Sequence, residues 1–467
     1  MSRFLIFTLI VLSIACSEND LPRHKYYGVM NMDGYRRRFI FDNTGDSSRL
    51  TLIGFRGYEL PIGDVSFVND TLRFSRRDIF SGYEGRYNPE NGVITGRWIS
   101  EDSVDHPLNF IPALTDTVVG LNPRTVSAYT YISPTGADDG IDVCSRDSVR
   151  LSASVIDSLV FAIMKMEYGY IHSMLIARKN CLAVEEYFFG YKREAYFGIQ
   201  SATKSFVSAL TGIALSKGEI STTQAPLCLY LPPYRDLLCN EQNKTITLHD
   251  ALSMSTGLAW DEVTHDYGDG RNSADIASAQ PDPFRYLLSQ PRSREKVFAY
   301  NSLNHSMMSR VLMQATHLDN AREFRERLLI PLGISHYDLG EAADGIIGDI
   351  FLRPRDMLKF GLLYSNLGRW NGHQIVPASW ITESTTPKIM IEEGLGYGYF
   401  WWTKQFSWKN KTVDSYFAWG YGGQYIFVVP ELELVVVFNG TNWSTDPKAY
   451  YFDIMQRYII AACDNDR

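Results

Sequence analysis

The sequence has little of what defines several common protein classes. Its 467 residues include only six cysteines, and no two are spaced as a Cys-x-x-Cys pair, which argues against a zinc-binding module. Acidic residues outnumber basic ones by 53 to 45, whereas a nucleic-acid-binding protein usually has a basic face. After the N-terminus no apolar run reaches the ~20 residues of a membrane-spanning helix. We expect an ordinary globular protein without a nucleic-acid partner, a metal or a cofactor.

Two familiar hydrolase motifs are missing as well. There is no Gly-x-Ser-x-Gly nucleophile elbow and no His-Glu-x-x-His zinc-binding helix. The nine histidines are scattered along the chain, so no Ser-His-Asp triad is indicated.

The N-terminus has the pattern of an export signal. A short positive start at 1–3 is followed by the apolar run 4–15, which is too short to span a bilayer and fits a signal-peptide core. Cys16 follows Leu-Ser-Ile-Ala, and this resembles a bacterial lipobox. The resemblance implies that residues 1–16 are a lipoprotein-type signal peptide and that Cys16 carries lipid, anchoring the exported protein in the bacterial cell envelope. An ordinary signal peptide with an incidental cysteine is the alternative.

The other cysteines leave two interpretations open. Without Cys16 they are odd in number, and Cys228 and Cys239 flank a Pro-Pro loop. A disulfide between these two would fit an oxidising compartment. Buried free thiols are equally consistent with the pattern.

Residues 17–115 are predicted to form a separate β-rich domain. Short apolar runs alternate with turn residues, including the pair Asn69-Asp70 between two strand-like segments. This pattern favours a small antiparallel barrel or sandwich, and it is loosely similar to lipocalin-like barrels. Residues 116–149 are predicted to be a linker.

Residues 150–467 are predicted to be a mixed α/β domain. Strand-like pairs lie near both of its ends, and the segment between them is rich in helical patterns. This arrangement implies one sheet that joins the two ends. The predicted elements are a helix at 151–168, strand pairs at 171–187 and 425–439, and a final helix at 448–462.

Ser201 and Lys204 are the candidate catalytic pair. They begin a run of helical apolar spacing that ends at Gly218, and residues three apart share one helix face. The helix N-terminus favours negative charge, and a desolvated lysine more readily accepts the serine proton. The segment 198–205 also nearly fits a phosphate-binding loop, but Thr203 replaces its second glycine, which excludes that interpretation.

Beyond this motif the chain resembles the serine β-lactamase and penicillin-binding-protein superfamily, especially its class C-like branch with esterases and 6-aminohexanoate-oligomer hydrolases. Three further stretches, 246–258, 352–361 and 370–377, resemble that branch in the same order along the chain. The resemblance implies a β-lactamase/transpeptidase-like α/β (α+β) catalytic domain with a helical subdomain. It also implies hydrolysis through an acyl-enzyme on Ser201.

The second family motif is similar to the segment that contains Tyr300 and Ser302. By this resemblance Tyr300 moves the proton between nucleophile and leaving group together with Lys204, and Ser302 hydrogen-bonds within that network. A phenol has a usual pKa of about 10, so it needs neighbouring cations to act as a base near neutrality.

The third family motif differs here, because Tyr421 occupies the place of a lysine or histidine. A phenol donates a hydrogen bond but carries no positive charge with which to bind a penicillin or peptide carboxylate. By resemblance, the backbone N–H of Gln424 joins that of Ser201 in an oxyanion hole. Gly423 before it would let the substrate approach the strand closely.

These residues predict a small-molecule or peptide-like substrate with an ester or amide bond. Two alternatives remain: a DD-peptidase or β-lactamase, and a non-catalytic binding protein that keeps the fold. The aromatic run 396–402 would either line an apolar cleft or belong to strands and core.

Overall fold

The chain divides into two compact units, 1–115 and 116–467. The structure is a computed structural model. It describes residues 21–23, 25–32, 35–43, 47–53, 58–60, 62–76, 81–99, 105–112, 129–189, 191–265, 267, 270–342, 344–442 and 447–463.

The N-terminal unit is one antiparallel sheet of nine strands in the order β4-β3-β2-β1-β9-β8-β7-β6-β5. Asn69 and Asp70 form the turn between β5 and β6, both with positive φ, as the sequence predicted. The strands are β1 (Lys25–Met32), β2 (Tyr35–Asp42), β3 (Arg49–Ile53), β4 (Tyr58–Leu60), β5 (Ile62–Val68), β6 (Thr71–Arg76), β7 (Gly82–Tyr87), β8 (Ile94–Ile99) and β9 (Asp105–Pro112).

The two ends of this strand order are adjacent in sequence. Residue 61 alone separates β4 from β5, so the two edge strands of the sheet are consecutive along the chain. The described residues contain one continuous sheet rather than the two facing sheets of a sandwich, and no pairing of β4 with β5 closes it as a barrel. Side chains such as Phe41, Phe74 and Phe110 form a single aromatic core.

The larger unit is built on a second nine-stranded sheet, in the order β10-β12-β11-β23-β22-β21-β20-β19-β18. Its centre pairs β11 with β23, which confirms the prediction that one sheet joins the two ends of this domain. The strands of this unit are β10 (Asp142–Val143), β11 (Ile171–Arg178), β12 (Cys181–Tyr187), β13 (Phe197–Gly198), β14 (Tyr337–Glu341), β15 (Ile347–Leu352), β16 (Arg369–Trp370), β17 (His373–Gln374), β18 (Ile389–Glu392), β19 (Leu395–Tyr397), β20 (Trp402–Trp408), β21 (Lys411–Gly420), β22 (Gln424–Val429) and β23 (Leu434–Gly440).

Helices cover both faces of this sheet, which explains why every residue of β11, β22 and β23 is buried. On one face Gly361 lets its helix approach Ile426 and Val435 closely, while on the other Tyr451 packs against Tyr425. The helices are α1 (Ala153–Met164), α2 (Thr203–Ser216), α3 (Arg235–Leu238), α4 (Leu248–Leu252), α5 (Ser273–Ser278), α6 (Pro283–Leu288), α7 (Leu303–Thr316), α8 (Asn320–Phe324), α9 (Pro354–Ser365), α10 (Ala378–Thr385) and α11 (Pro447–Ile454).

The described part of the predicted linker, 129–149, is attached to the larger unit. β10 pairs with β12, and the Tyr131 hydroxyl donates to the Ala183 carbonyl at 2.7 Å. Asp139 forms an ion pair with Arg355 at 3.0 Å. This segment is therefore part of the larger unit, which begins before residue 150.

Two disulfides are present among the described residues. Cys228 is bonded to Cys239, which agrees with the first of the two interpretations left open by the sequence. Cys144 is bonded to Cys181, a pairing that sequence spacing did not indicate. Cys463 is buried, and its thiol donates to the Ile459 carbonyl.

Candidate active site

Ser201 lies in a 3₁₀ turn, Gln200–Ala202, that leads directly into α2. The turn is tight because Gln200 has a positive φ of 54° and its N–H donates to Asp349 at 2.7 Å. Behind it α2 is anchored by Phe206, which stacks on Phe360 with ring centroids 3.6 Å apart. The nucleophile candidate is therefore held at the start of a buried helix, where N–H groups favour negative charge.

Lys204 contacts Ser201 directly. Its ammonium nitrogen is 2.9 Å from the Ser201 Oγ and 3.5 Å from the Ser302 Oγ, and only 6% of the residue is exposed. The Tyr300 ring centroid lies 5.1 Å from the same nitrogen, and the ring stacks on Trp402. In the described part of the chain, the Tyr300 hydroxyl is not hydrogen-bonded to Ser201 or Lys204.

Glu262 is a buried member of this site that the sequence analysis missed. Its carboxylate accepts hydrogen bonds from the Ser302 N–H at 2.7 Å and from the Ser302 hydroxyl. It also accepts from the Tyr267 hydroxyl at 2.6 Å and the Trp260 indole at 2.9 Å. No sequence signal marks it, because it lies in a polar loop between α4 and α5 without motif spacing.

Asp349 was missed for the same reason. It is on β15, far along the chain from Ser201, and accepts from the Gln200 side chain at 3.0 Å and from its own neighbour, the Ile350 N–H, at 2.8 Å. Burial raises the pKa of Asp349 to about 6, although these N–H groups and the Lys204 charge act in the opposite direction.

His305 is the only histidine among the described residues that line the candidate pocket. Burial lowers the pKa of His305 to about 3, and the nearby Lys204 charge adds to the effect. The imidazole is therefore neutral at ordinary pH and supplies no positive charge to a substrate.

A pocket of about 430 Å³ opens above the serine–lysine pair. Tyr267 and Tyr421 contact each other edge to face across it, with ring centroids 5.7 Å apart. Lys204 is the single lysine or arginine among its described lining residues. The lining consists of Gln200, Ser201, Thr203, Lys204, Tyr267, Ser302, Leu303, His305, Ser306, Gly348 and Tyr421.

Gly423 and Gln424 follow Tyr421 but are absent from the described pocket lining. The Gln424 side chain points into the sheet, where its amide donates to the Gly440 carbonyl at 2.6 Å. Gly423 has a φ of 104° and packs against Tyr451.

The hairpin that carries these residues touches the 3₁₀ turn that contains Ser201. A Cβ built on Gly420 would lie 2.0 Å from the Ile199 carbonyl oxygen, two residues before Ser201. The aromatic run 396–402 supplies core rather than pocket: Trp401 is fully buried, and no residue of the run is among the described lining residues.

The remaining predictions concern the N-terminus, metals and membranes. Cys16 and the predicted signal peptide 1–16 lie outside the described residues. In the described ranges, no group of three or more histidine, cysteine or acidic side chains is arranged to hold a metal ion. Within those same ranges, no helix combines the length and the apolar composition needed to cross a bilayer.

A family model described as Beta-lactamase matches residues 173–454, more than half of the chain. The chain belongs to the Beta-lactamase family. This confirms the predicted family and its mixed α/β fold, and related proteins of this fold are hydrolases.

Individual relatives of this Beta-lactamase family member are distant. An uncharacterised protein of Alkalihalophilus pseudofirmus is 21% identical over 318 residues, which are 61% of this chain and 90% of that protein. A Bacillus anthracis structure provisionally described as a 6-aminohexanoate-dimer hydrolase has a TM-score of 0.53 and 18% identity, covering 72% of this chain and 89% of its own. A class C β-lactamase in complex with cefoxitin has a TM-score of 0.50 and 13% identity, covering 68% and 98%. At these identities the structures show the fold alone.

Proposed function

We propose that this protein is a serine hydrolase that cleaves an ester or amide bond through an acyl-enzyme on Ser201. The observation that carries the proposal is the 2.9 Å contact between the Ser201 hydroxyl and the buried Lys204 amine, at a helix N-terminus that opens into a pocket. A serine is a weak nucleophile unless a base lies within hydrogen-bond reach, and Lys204 satisfies that condition.

In the proposed reaction, the Lys204 ammonium first gives up a proton to solvent. The Ser201 oxygen then forms a bond to the substrate carbonyl carbon while its proton passes to the neutral Lys204 amine. The backbone N–H groups of Ser201 and Gln424 stabilise the oxyanion, and each such donor is typically worth about 3 kcal/mol. The bond to the leaving group then breaks, and the leaving atom takes a proton from Lys204 with the help of Tyr300. A water molecule then attacks the acyl carbon and gives its proton to Lys204. The bond to Ser201 breaks, and the Ser201 oxygen takes that proton back.

The pocket chemistry favours an uncharged substrate. Tyr421 and Tyr267 present ring surface, and Lys204 is the single lysine or arginine among the described lining residues. Lys204 is already engaged with Ser201. The described lining has no second lysine or arginine that could face a substrate carboxylate. We infer that neutral esters or amides are better substrates than penicillins, whose carboxylate needs a cationic partner.

The test is hydrolysis of p-nitrophenyl acetate and butyrate beside nitrocefin. Wild-type protein should turn over the esters and cleave nitrocefin slowly. Ser201→Ala should lose ester turnover on the order of 10⁴-fold, because removal of the nucleophile abolishes acyl transfer. Ser208→Ala, a buried serine further along α2, is the matched control and should retain wild-type turnover.

Each opposite result has a specific meaning. Fast nitrocefin turnover would show that the protein is a β-lactamase despite Tyr421. Absence of both Ser201-dependent turnover and fluorophosphonate labelling would reject the hydrolase proposal in favour of a binding protein that keeps the fold.

We further propose that the protein is exported and lipid-anchored through Cys16, with a small-molecule or peptide-like substrate as its partner. The support is the apolar run 4–15 that precedes this cysteine, together with two disulfides elsewhere in the chain. Disulfides persist in oxidising compartments outside the cytosol.

A further inference from the structure

Every acceptor position of the Glu262 carboxylate is occupied. One oxygen accepts from the Tyr267 hydroxyl and the Ser302 hydroxyl, and the other accepts from the Trp260 indole and the Ser302 backbone N–H. A carboxylate offers about four acceptor sites, and the indole and backbone N–H groups can only donate. With 4% of the residue exposed, Glu262 is a buried acceptor with no site left for a substrate.

This arrangement fixes the direction of the Ser302 hydroxyl. A serine hydroxyl has one proton to donate and two lone pairs. Because the proton is given to Glu262, the oxygen presents a lone pair to the Lys204 nitrogen 3.5 Å away. Lys204 must therefore be the donor in its contact with Ser302.

The direction of the Lys204–Ser302 hydrogen bond determines whether an N–H or the lone pair of the Lys204 amine faces Ser201. A neutral amine has a single lone pair, and it can accept the serine proton only if that lone pair faces the serine. In the structure Lys204 donates to the Ser201 oxygen 2.9 Å away. Once the amine is neutral, an N–H that stays directed at Ser302 leaves its lone pair free to turn toward that oxygen.

We infer that Glu262 is a positioning residue for the reaction: acting through Ser302, it orients the Lys204 amine so that its lone pair faces Ser201. This inference rests on the proposed function, since it assigns a role within the same site. It predicts that loss of the acceptor at Glu262 impairs nucleophile activation without impairing ligand binding in the pocket.

The substitution Glu262→Gln tests the orientation with minimal change in shape. A side-chain amide has one oxygen and one NH₂ group, so it cannot accept from all four donors. With the NH₂ group toward Ser302, the serine hydroxyl must accept from it and turn its own proton toward Lys204. That proton then competes for the amine lone pair.

The measurement is the rate of Ser201 labelling by a fluorophosphonate at increasing probe concentrations. In Glu262→Gln the maximal labelling rate constant should fall about 100-fold, the lower range for loss of acid–base assistance. The half-saturating probe concentration should stay unchanged. Glu323→Gln is the matched control, because Glu323 is also a buried glutamate but lies on α8, outside the described pocket lining, and it should label at the wild-type rate.

A double-mutant cycle separates positioning from a general structural role. Ser302→Ala removes the link between Glu262 and Lys204, so adding Glu262→Gln to it should cause little further loss. Multiplicative losses in the double variant would overturn the inference. Should Glu262→Gln fail to fold, Ser302→Ala alone still tests the link, and a wild-type labelling rate in that variant would overturn it.

The outcomes for the two proposals are distinguishable. Wild-type protein that is not labelled at Ser201 rejects the proposed function, and the inference with it. Wild-type protein that is labelled, with equal labelling of Glu262→Gln, rejects the inference alone and leaves the hydrolase proposal standing.

Discussion

The backbone N–H of Gln200, immediately before the proposed nucleophile Ser201, donates to Asp349. Burial raises the pKa of Asp349 to about 6. Above that pH the charged carboxylate is a strong acceptor and holds the turn at Gln200. Protonation weakens the acceptor, so we expect the logarithm of the ester-hydrolysis rate to show an inflection near pH 6. In Asp349→Asn, which keeps one acceptor oxygen but does not titrate, this inflection should vanish.

The same group links stability to pH. Its folded-state pKa lies above the usual value of about 3.9, so the folded state binds the proton more tightly than the unfolded state. The stability contributed by protonated Asp349 is complete below about pH 3.9 and is lost as the pH rises through about 6. If wild-type protein and Asp349→Asn had identical pH profiles of ester hydrolysis, the assignment of the inflection near pH 6 to Asp349 would be wrong.

At the residue scale, residue spacing predicted the local contact of Ser201 with Lys204, and the family resemblance predicted the distant Ser302, but neither pointed to Glu262 or Asp349. Ser201 and Lys204 are three residues apart, so helix geometry alone brings them together. Glu262 and Asp349 reach the same site from a distant loop and a distant strand. No spacing rule connects such residues, because only the tertiary fold determines their distance.

At the scale of elements, the hairpin of β21 and β22 packs closely against the turn that contains Ser201. A methyl group at Gly420 would lie 2.0 Å from the Ile199 carbonyl oxygen, so Gly420→Ala must displace the hairpin or the turn. We expect a loss of about 1–3 kcal/mol in unfolding free energy, typical of overpacking, together with slower ester hydrolysis.

Calorimetry and p-nitrophenyl acetate hydrolysis measure these two effects. Gly136→Ala is the matched control, since its Cβ would meet only the Val143 side chain at 4.0 Å, an ordinary contact. A Gly420→Ala variant with wild-type melting temperature and rate would show that the turn tolerates displacement.

Element types were predictable where apolar runs end in turn residues. The strand pairs at 171–187 and 425–439 are present, and Lys179 and Asn180 form the turn of the first with positive φ. The aromatic run 396–402 could not be assigned to cleft or core from its composition, because apolar side chains suit both. Its place in the core depends on which strands flank it in the finished sheet.

For the whole molecule, the proposed lipid anchor at Cys16 is the feature that would have the largest physical consequence. When the chain is expressed in a bacterial host, wild-type protein should incorporate an alkyne-labelled fatty acid and sediment with membranes. Cys16→Ser should lose both properties, because the acceptor thiol is gone. Cys463→Ser changes a buried cysteine that lies outside both disulfides, and it should remain labelled. Labelling that persists in Cys16→Ser would reject the lipoprotein proposal.

The attachment of residues 129–149 to the larger unit changes where that unit can be separated from the rest of the chain. A gene fragment that starts at residue 150 discards Cys144, which leaves the Cys181 thiol exposed to oxidation or mispairing. It also strips β10 from the sheet edge and leaves the buried Arg355 guanidinium with one carboxylate fewer. A fragment that starts at residue 129 keeps all three, and any fragment of the larger unit must start at or before Asp139 to do so.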